Sequence, residues 1–131
     1  EWRHLHWNAI ASAYGSSPFF EYYQDDIRPF FEKRYEFLLD FNEEIRRTVC
    51  NLIGIEPHIE YSSSYSEPAP GETDLRDVIH PKRRKAETIL PVQLKPYYQV
   101  FSEKYGFQPD LSIIDLLMNM GPESILILQN T

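Results

Sequence analysis

The chain has 131 residues, of which 42% are hydrophobic and 15% aromatic, so it can bury the core of one compact domain and does not resemble a disordered sequence. Its 13 basic and 20 acidic residues give a net charge of −7, which excludes a general nucleic-acid binder, since phosphate contacts dominate such binding. The single cysteine, Cys50, excludes an internal disulfide and favours a cytoplasmic protein. No apolar run approaches the ~20 residues of a membrane span.

Two helices are predicted before residue 30. Spacing of i, i+3, i+4 and i+7 defines one buried helix face, made of Trp7, Ile10, Ala11 and Tyr14. Gly15 then occupies the place of a left-handed residue that ends this helix. Ser17 followed by Pro18 predicts the start of a second helix, and Pro29 predicts its break near Arg28.

A third helix is predicted over residues 41–53. Asp40 and Glu43 have the spacing of a capping box, and Gly54 marks the end of the helix. Cys50 neighbours the apolar face of this helix. We interpret it as a small buried hydrophobe, because no base can be assigned to activate its thiol.

Residues 55–96 form a turn-rich segment that we predict to be irregular and exposed. Within it, Ile59–Tyr61 is a candidate short strand, and Thr73 is a candidate cap of a short helix that ends before Pro81. Residues 82–85 are the basic run KRRK, which we interpret as a solvated loop.

The last third predicts a helix over residues 97–105 that Gly106 ends, and a second helix up to Asn119. Ser112 and Asp115 have capping-box spacing at the start of the second of these helices, and Gly121 follows its end. The whole pattern predicts a mainly α fold, a compact helical domain over residues 1–131 with at most a small strand pair. An α+β fold remains open for a longer protein.

Most catalytic signatures are absent from the sequence. The five glycines are too dispersed for a phosphate-binding loop or a dinucleotide fingerprint. No pair of histidines lies one helical turn apart, so no metal site is predicted, and the residues indicate no particular cofactor.

His6 and Asn119 are the candidate catalytic residues. Histidine titrates near neutral pH, and His6 lies beside the buried helix face, where a partly buried structural histidine is the alternative. Asn119 lies on an otherwise apolar helix, one turn after Asp115, and such polar groups either face water or are buried with partners. A capping role explains why Asp115 occurs on this apolar helix, whereas no local interaction explains the presence of Asn119.

Four further residues are candidate substrate contacts. Arg3 and Arg76 are suited to hold an anion, because a guanidinium binds phosphate through two parallel hydrogen bonds. Tyr14 could orient a sugar through its ring and hydroxyl, although tyrosines at helical spacing are usually core residues. His80 lies near Arg76 in a polar stretch that could bind a sugar nucleotide, and a solvated turn with exposed ion pairs is the alternative.

Three stretches of the sequence resemble the WbqC-like protein family. They are residues 2–23, with the words WRHLHW, AYG and SPFFEYY, residues 37–42, and residues 107–123, which begin FQPDLSIIDLL and end GPE. The site before Leu111, where the resemblance implies Asn, holds Asp110. Because the sequence opens on Glu1 in an apparent helix, we expect a further N-terminal segment, and residues 55–96 lack a segment found in many family members.

The resemblance implies a role in bacterial surface-polysaccharide (O-antigen-type) biosynthesis. It suggests a transferase that passes glycine or another aminoacyl group to a sugar or sugar nucleotide. In that hypothesis His6 is the general base, Arg3 and Arg76 hold an anion, and Asn119 and Tyr14 orient the substrate. The alternative is a non-catalytic helical interaction module of a polysaccharide-assembly complex.

Overall fold

The structure, a computed structural model, describes residues 1–77, 79 and 95–129. The chain divides into two compact units, residues 1–57 with 94–131 and residues 58–93. The described part of the first unit contains six α-helices. They are α1 (Trp2–Tyr14), α2 (Phe20–Ile27), α3 (Leu38–Ile53), α4 (Ser102–Tyr105), α5 (Ile113–Met120) and α6 (Ser124–Gln129). No strand occurs in the described ranges, so the mainly α fold predicted from the sequence is confirmed.

The core of the first unit lies where α2, α3 and α5 meet. Its buried side chains are Phe20, Tyr23 and Ile27 of α2, Val49 and Ile53 of α3, and Leu117 and Met118 of α5. The predicted face of α1 packs against this cluster through Trp7, Ile10, Ala11 and Tyr14, as its spacing indicates. Burial of these apolar surfaces is the main force that holds the helices together.

The end of α1 differs from the prediction. Gly15 has φ −56° and continues the right-handed turn, and its N–H donates to the Ala11 carbonyl. Ser17 explains the difference, because both its backbone N–H (2.8 Å) and its hydroxyl (2.6 Å) donate to the Tyr14 carbonyl. The Tyr14 carbonyl at the end of α1 thereby has hydrogen-bond donors without a residue in the left-handed conformation. Ser17 therefore ends α1, and α2 begins only at Phe20.

The predicted break at Pro29 is confirmed, whereas the predicted capping box of α3 is wrong. A short 3-10 helix, Arg28–Phe31, follows α2. Helix α3 begins at Leu38, and its N-cap residue, Phe37, offers no side-chain hydrogen bond. Asp40 lies inside the first turn, and Glu43 pairs with Arg46. The end of α3 is as predicted, with Gly54 in the left-handed conformation at φ 92°.

Three short elements predicted between residues 59 and 105 are absent or shorter in the structure. Residues 59–61 form no strand, and residues 73–77 form no helix. The helix predicted over residues 97–105 is reduced to its last turn, α4. The reason is that the Val100 N–H donates to the Asn119 side chain instead of to a helix carbonyl.

Gly121 allows α5 and the start of α2 to approach closely. It is buried and has φ 56° and ψ −131°, a conformation that residues with a Cβ rarely adopt. A Cβ at this position would lie 2.6 Å from the ring of Phe19. The neighbouring backbone hydrogen bond, from the Phe19 N–H to the Met118 carbonyl at 3.0 Å, fixes that approach.

Gly121→Ala should therefore destabilise the fold more than Gly54→Ala, a matched control. Gly54 also has positive φ, but nothing lies within 4 Å of its added Cβ, so only backbone strain of about 1–2 kcal/mol is expected there. Gly121→Ala adds a ring clash, with a further cost of about 1–3 kcal/mol. Urea denaturation of both variants measures the difference, and equal losses of stability would contradict this account.

Candidate functional site

Helix α5 carries two polar side chains on a face that is almost entirely buried. Asp115 is 5% exposed and Asn119 is 3% exposed, and they lie one helical turn apart. The Asn119 side-chain amide donates to the Asp115 backbone carbonyl at 2.8 Å and lies 3.4 Å from its Oδ1. A buried carboxylate is costly unless hydrogen-bond donors replace its water, so further donors are required here.

The irregular segment before α4 supplies those donors. The Tyr97 hydroxyl donates to Asp115 Oδ2 at 2.6 Å, and Gln99 Nε2 donates to the same oxygen at 2.9 Å. The short distance from Tyr97 is typical of a hydroxyl that donates to an ionised carboxylate. Asp115 thus fixes two side chains from a segment that has no helix or strand of its own.

Gln99 also organises the loop that returns to α5. Its Nε2 donates to the Gln108 carbonyl, and its Oε1 accepts from the Gln108 N–H, each at 2.9 Å. Asn119 Oδ1 accepts from the Val100 N–H at 3.0 Å. Side chains therefore take the place of a regular backbone ladder, and no buried side-chain nitrogen or oxygen in the described residues lacks a partner.

A cavity of about 170 Å³ opens beside this network. The side chains that border it come from α1, from the irregular segment, from α4 and from α5, and they include Tyr14, Gln99, Phe101, Tyr105, Asp115 and Asn119. Clefts for drug-sized ligands measure roughly 300–1,000 Å³, so this cavity accommodates one small group, such as a single ring or a short acyl group. We call it the Asp115 cavity.

The two tyrosines at Asp115 are held in the neutral form. Burial raises the pKa of Tyr14, and the negative charge of the nearby Asp115 carboxylate raises it further. Burial likewise raises the pKa of Tyr97, together with its hydrogen bond to Asp115. At neutral pH the site therefore combines two hydroxyl groups with a buried carboxylate. This set can donate to and accept from a hydroxylated ligand.

Two of the six predicted site residues meet at this cavity. Tyr14 and Asn119 both border it, although they are distant in the sequence. His6 and Arg3 lie elsewhere, since His6 is about 12 Å before Tyr14 along α1 at 1.5 Å per residue. The His6 ring is exposed and contacts Trp2, with 5.4 Å between ring centroids, and Arg3 pairs with Glu1 at 3.7 Å. The roles of all these residues stay predictions.

Arg76 belongs to the second unit, and its charge is already paired. It donates to both carboxylate oxygens of Asp74, at 2.9 and 2.7 Å, and its guanidinium lies 4.6 Å from the centre of the Tyr65 ring. These hydrogen bonds lower the pKa of Asp74 to about 2. His80 and the basic run at residues 82–85 lie outside the described residues.

The interpretation of Asp115 as a capping residue is wrong. Ser112 does cap α5, because its hydroxyl oxygen accepts from the Ile114 N–H at 3.2 Å. The Asp115 side chain instead points into the buried network. In the sequence, the one-turn spacing of Asp115 and Asn119 was the signal that their side chains share one buried face of α5. Tyr97 and Gln99 carried no comparable signal, because a predicted helix placed them on different faces.

Among residues 1–77, 79 and 95–129, no group of three or more His, Cys, Asp or Glu side chains is arranged to hold a metal ion. No helix in these ranges combines the length and apolar character needed to cross a bilayer.

A helical protein with a small cavity beside a buried carboxylate is the class that fold and site define, and comparison with known sequences gives its family. A model of the WbqC-like protein family matches residues 1–91, and the chain belongs to that family. The uncharacterized protein Rv1507c of Mycobacterium tuberculosis is 25% identical over 146 aligned residues, which cover 95% of this chain. The chain spans 63% of that relative's length. No solved structure matches the chain significantly.

Stability should fall as pH rises above 10, the ordinary pKa of tyrosine. Tyr14 and Tyr97 have raised pKa values in the folded state, so the unfolded chain loses these protons at a lower pH than the folded chain. Deprotonation therefore favours the unfolded state. The contribution of both groups is complete below pH 10 and is lost above it. Tyr97→Phe should flatten this pH dependence, which thermal unfolding between pH 8 and 11.5 measures.

Tyr98→Phe is the control for this experiment, since Tyr98 is 53% exposed and makes no hydrogen bond to Asp115 among the described residues. At pH 7, Tyr97→Phe should also cost about 1.5–3 kcal/mol, the usual value of a hydrogen bond to a charged group. An unchanged alkaline profile in Tyr97→Phe would contradict the assigned interaction with Asp115.

Proposed function

We propose that the chain is part of a transferase of bacterial surface-polysaccharide biosynthesis that passes an acyl group, such as glycyl, to a sugar hydroxyl. The Asp115 cavity holds the sugar in this proposal. Membership of the WbqC-like family and the hydrogen-bonding chemistry of the cavity support it. The observation that carries it is the convergence of Tyr14, Asn119 and Asp115, from two helices, on one small cavity.

The proposed chemistry uses the buried carboxylate as the base. The sugar hydroxyl oxygen attacks the carbonyl carbon of an activated acyl donor, the leaving group departs with its electron pair, and the hydroxyl proton passes to Asp115. Tyr14 orients the sugar through a hydrogen bond, and Asn119, whose amide donates to the Asp115 backbone carbonyl, positions the base. A base must lie within hydrogen-bond reach of the proton that it accepts, and the cavity walls offer that position. His6 and Arg3 remain candidates for the acyl-donor side.

The experiment is a thermal-shift screen of the full-length protein with UDP-sugars and dTDP-sugars, in the presence and absence of aminoacyl donors. A ligand at about 100 times its Kd should stabilise the protein by ~2.7 kcal/mol. Tyr14→Phe should weaken binding by about tenfold, because it removes one hydrogen bond and leaves the ring in place. Tyr22→Phe, which changes an exposed tyrosine, should bind as the wild type does.

The variants distinguish the possible positions of the site. A shift that survives Tyr14→Phe and is lost in His6→Ala would place the ligand at the first turns of α1 and contradict the Asp115 cavity. Loss in Tyr14→Phe alone supports the proposal. Circular dichroism of each variant checks that the fold is retained.

A non-catalytic interaction module is the second candidate. The observation that favours it is a set of exposed apolar side chains at the first turns of α1 and α3, which includes Trp2, Leu5, Phe37 and Leu38. The Trp2 ring contacts Phe41 of α3, with centroids 5.8 Å apart, so the two helix starts are adjacent. Exposed apolar patches commonly mark protein interaction sites. Absence of any ligand shift would favour this candidate.

A further inference from the structure

A second recess of the first unit lies apart from the Asp115 cavity. It is a groove of about 460 Å³ between α3 and the start of α5. This volume falls within the roughly 300–1,000 Å³ of small-molecule sites. We call it the α3–α5 groove. It shares no lining residue with the Asp115 cavity, so an inference about it is independent of the proposed function.

The groove is long and aliphatic over most of its length. Its lining along α3 extends from Asn42 to Ile53, about 16 Å at 1.5 Å per residue. The side chains that make it aliphatic are Ile45, Val49, Ile53, Ile55, Ile113 and Ile114. A peptide in such a groove would bury backbone N–H and C=O groups against a surface that offers few partners, at a cost of about 1–3 kcal/mol each. An aliphatic chain has no such cost.

The polar side chains of the groove lie toward the first half of α3. Asn42 and Arg46 are one turn apart there, and Ser112 already caps α5. Arg46 is the single ionisable cation among the lining residues. Its Nε and Nη2 donate to Glu43 at 3.0 and 2.5 Å, and Arg47 Nε donates to the same carboxylate at 3.1 Å.

The pair with Glu43 engages only Nε and Nη2 of Arg46, so N–H donors of its guanidinium remain at this end of the groove. Arginine has five N–H donors in a planar fork, so Arg46 can hold a second anion beside Glu43. Cys50 lies one helical turn after Arg46 and also lines the groove.

We infer that the α3–α5 groove binds an amphiphile with one extended aliphatic chain and an anionic head group, carboxylate or phosphate, which Arg46 holds. Apolar surface along the groove binds the chain, and burial of each CH₂ group contributes about 0.8 kcal/mol. The charge at Arg46 sets the direction in which the ligand lies, with its head toward the start of α3 and its tail toward Ile53 and Ile55.

Cys50 provides a reporter inside the groove, because it lines the groove and is the one cysteine of the chain. The experiment measures the rate at which neutral iodoacetamide alkylates Cys50 in the full-length protein, by intact-mass spectrometry. Decanoate, decyl phosphate and the uncharged decanol are added below their micelle concentrations. Each variant is normalised to its own rate without ligand, because a nearby arginine affects the reactivity of a thiol.

Decanoate or decyl phosphate should protect Cys50 saturably, and decanol should bind at least about tenfold more weakly. Arg46→Gln should reduce the affinity for the anionic ligands about tenfold and leave that for decanol unchanged. Arg47→Gln is the matched control, because Arg47 pairs with the same Glu43 but does not line the groove, and its affinities should stay within twofold of the wild type.

A third variant tests the tail site. Ile113 is 38% exposed and lines the groove, so Ile113→Glu should fold and should abolish protection by repelling the anionic amphiphile. The ratio of the affinities for decanoate and decyl phosphate identifies the preferred head group. Absence of protection, equal protection by decanol, or equal binding by Arg46→Gln and wild type would each overturn the inference.

Discussion

The buried carboxylate of Asp115 is the constraint on which the C-terminal part of the fold depends. A charge inside an apolar helix is tolerated only when donors replace its lost water, and three of its neighbours provide them. Tyr97 and Gln99 come from a segment without regular structure, and Asn119 comes from α5 itself. The burial of α5 and the conformation of residues 97–108 are therefore coupled through the hydrogen bonds of Asp115.

The same constraint produces the candidate site. Side chains that are held by hydrogen bonds keep fixed positions, and fixed positions are what a small binding site needs. Because Gln99 and Asn119 are occupied with backbone groups, they hold the cavity open instead of closing over it. Tyr14 completes the wall from α1, where the aromatic stripe packs on the core. Packing of α1 thus sets the distance between its hydroxyl and the carboxylate.

Sequence patterns predicted the parts of this fold that depend on local or periodic signals. The stripe of α1, the break at Pro29, the end of α3 at Gly54 and the cap Ser112 all follow from side-chain spacing or backbone preference. The capping role of Asp115 and the helix from residue 97 were wrong, because long-range hydrogen bonds between residues 16 to 19 positions apart override local propensity. No periodicity encodes such pairs. Asp110, where the family resemblance implies Asn, has φ 61°, which both residue types tolerate.

Helix α5 separates two recesses, and its short sequence explains how. Ile113 and Asp115 are two residues apart, about 200° around the helix axis, so they line different recesses. The side that carries Asp115 borders the small cavity, and the side that carries Ile113 borders the long groove with an arginine at one end. The ligands proposed for the two recesses differ in chemistry, since a sugar has no aliphatic chain to bury and an amphiphile has few hydroxyl groups. The two recesses can therefore be assigned separately, and the chemistry of each ligand identifies its own side of α5.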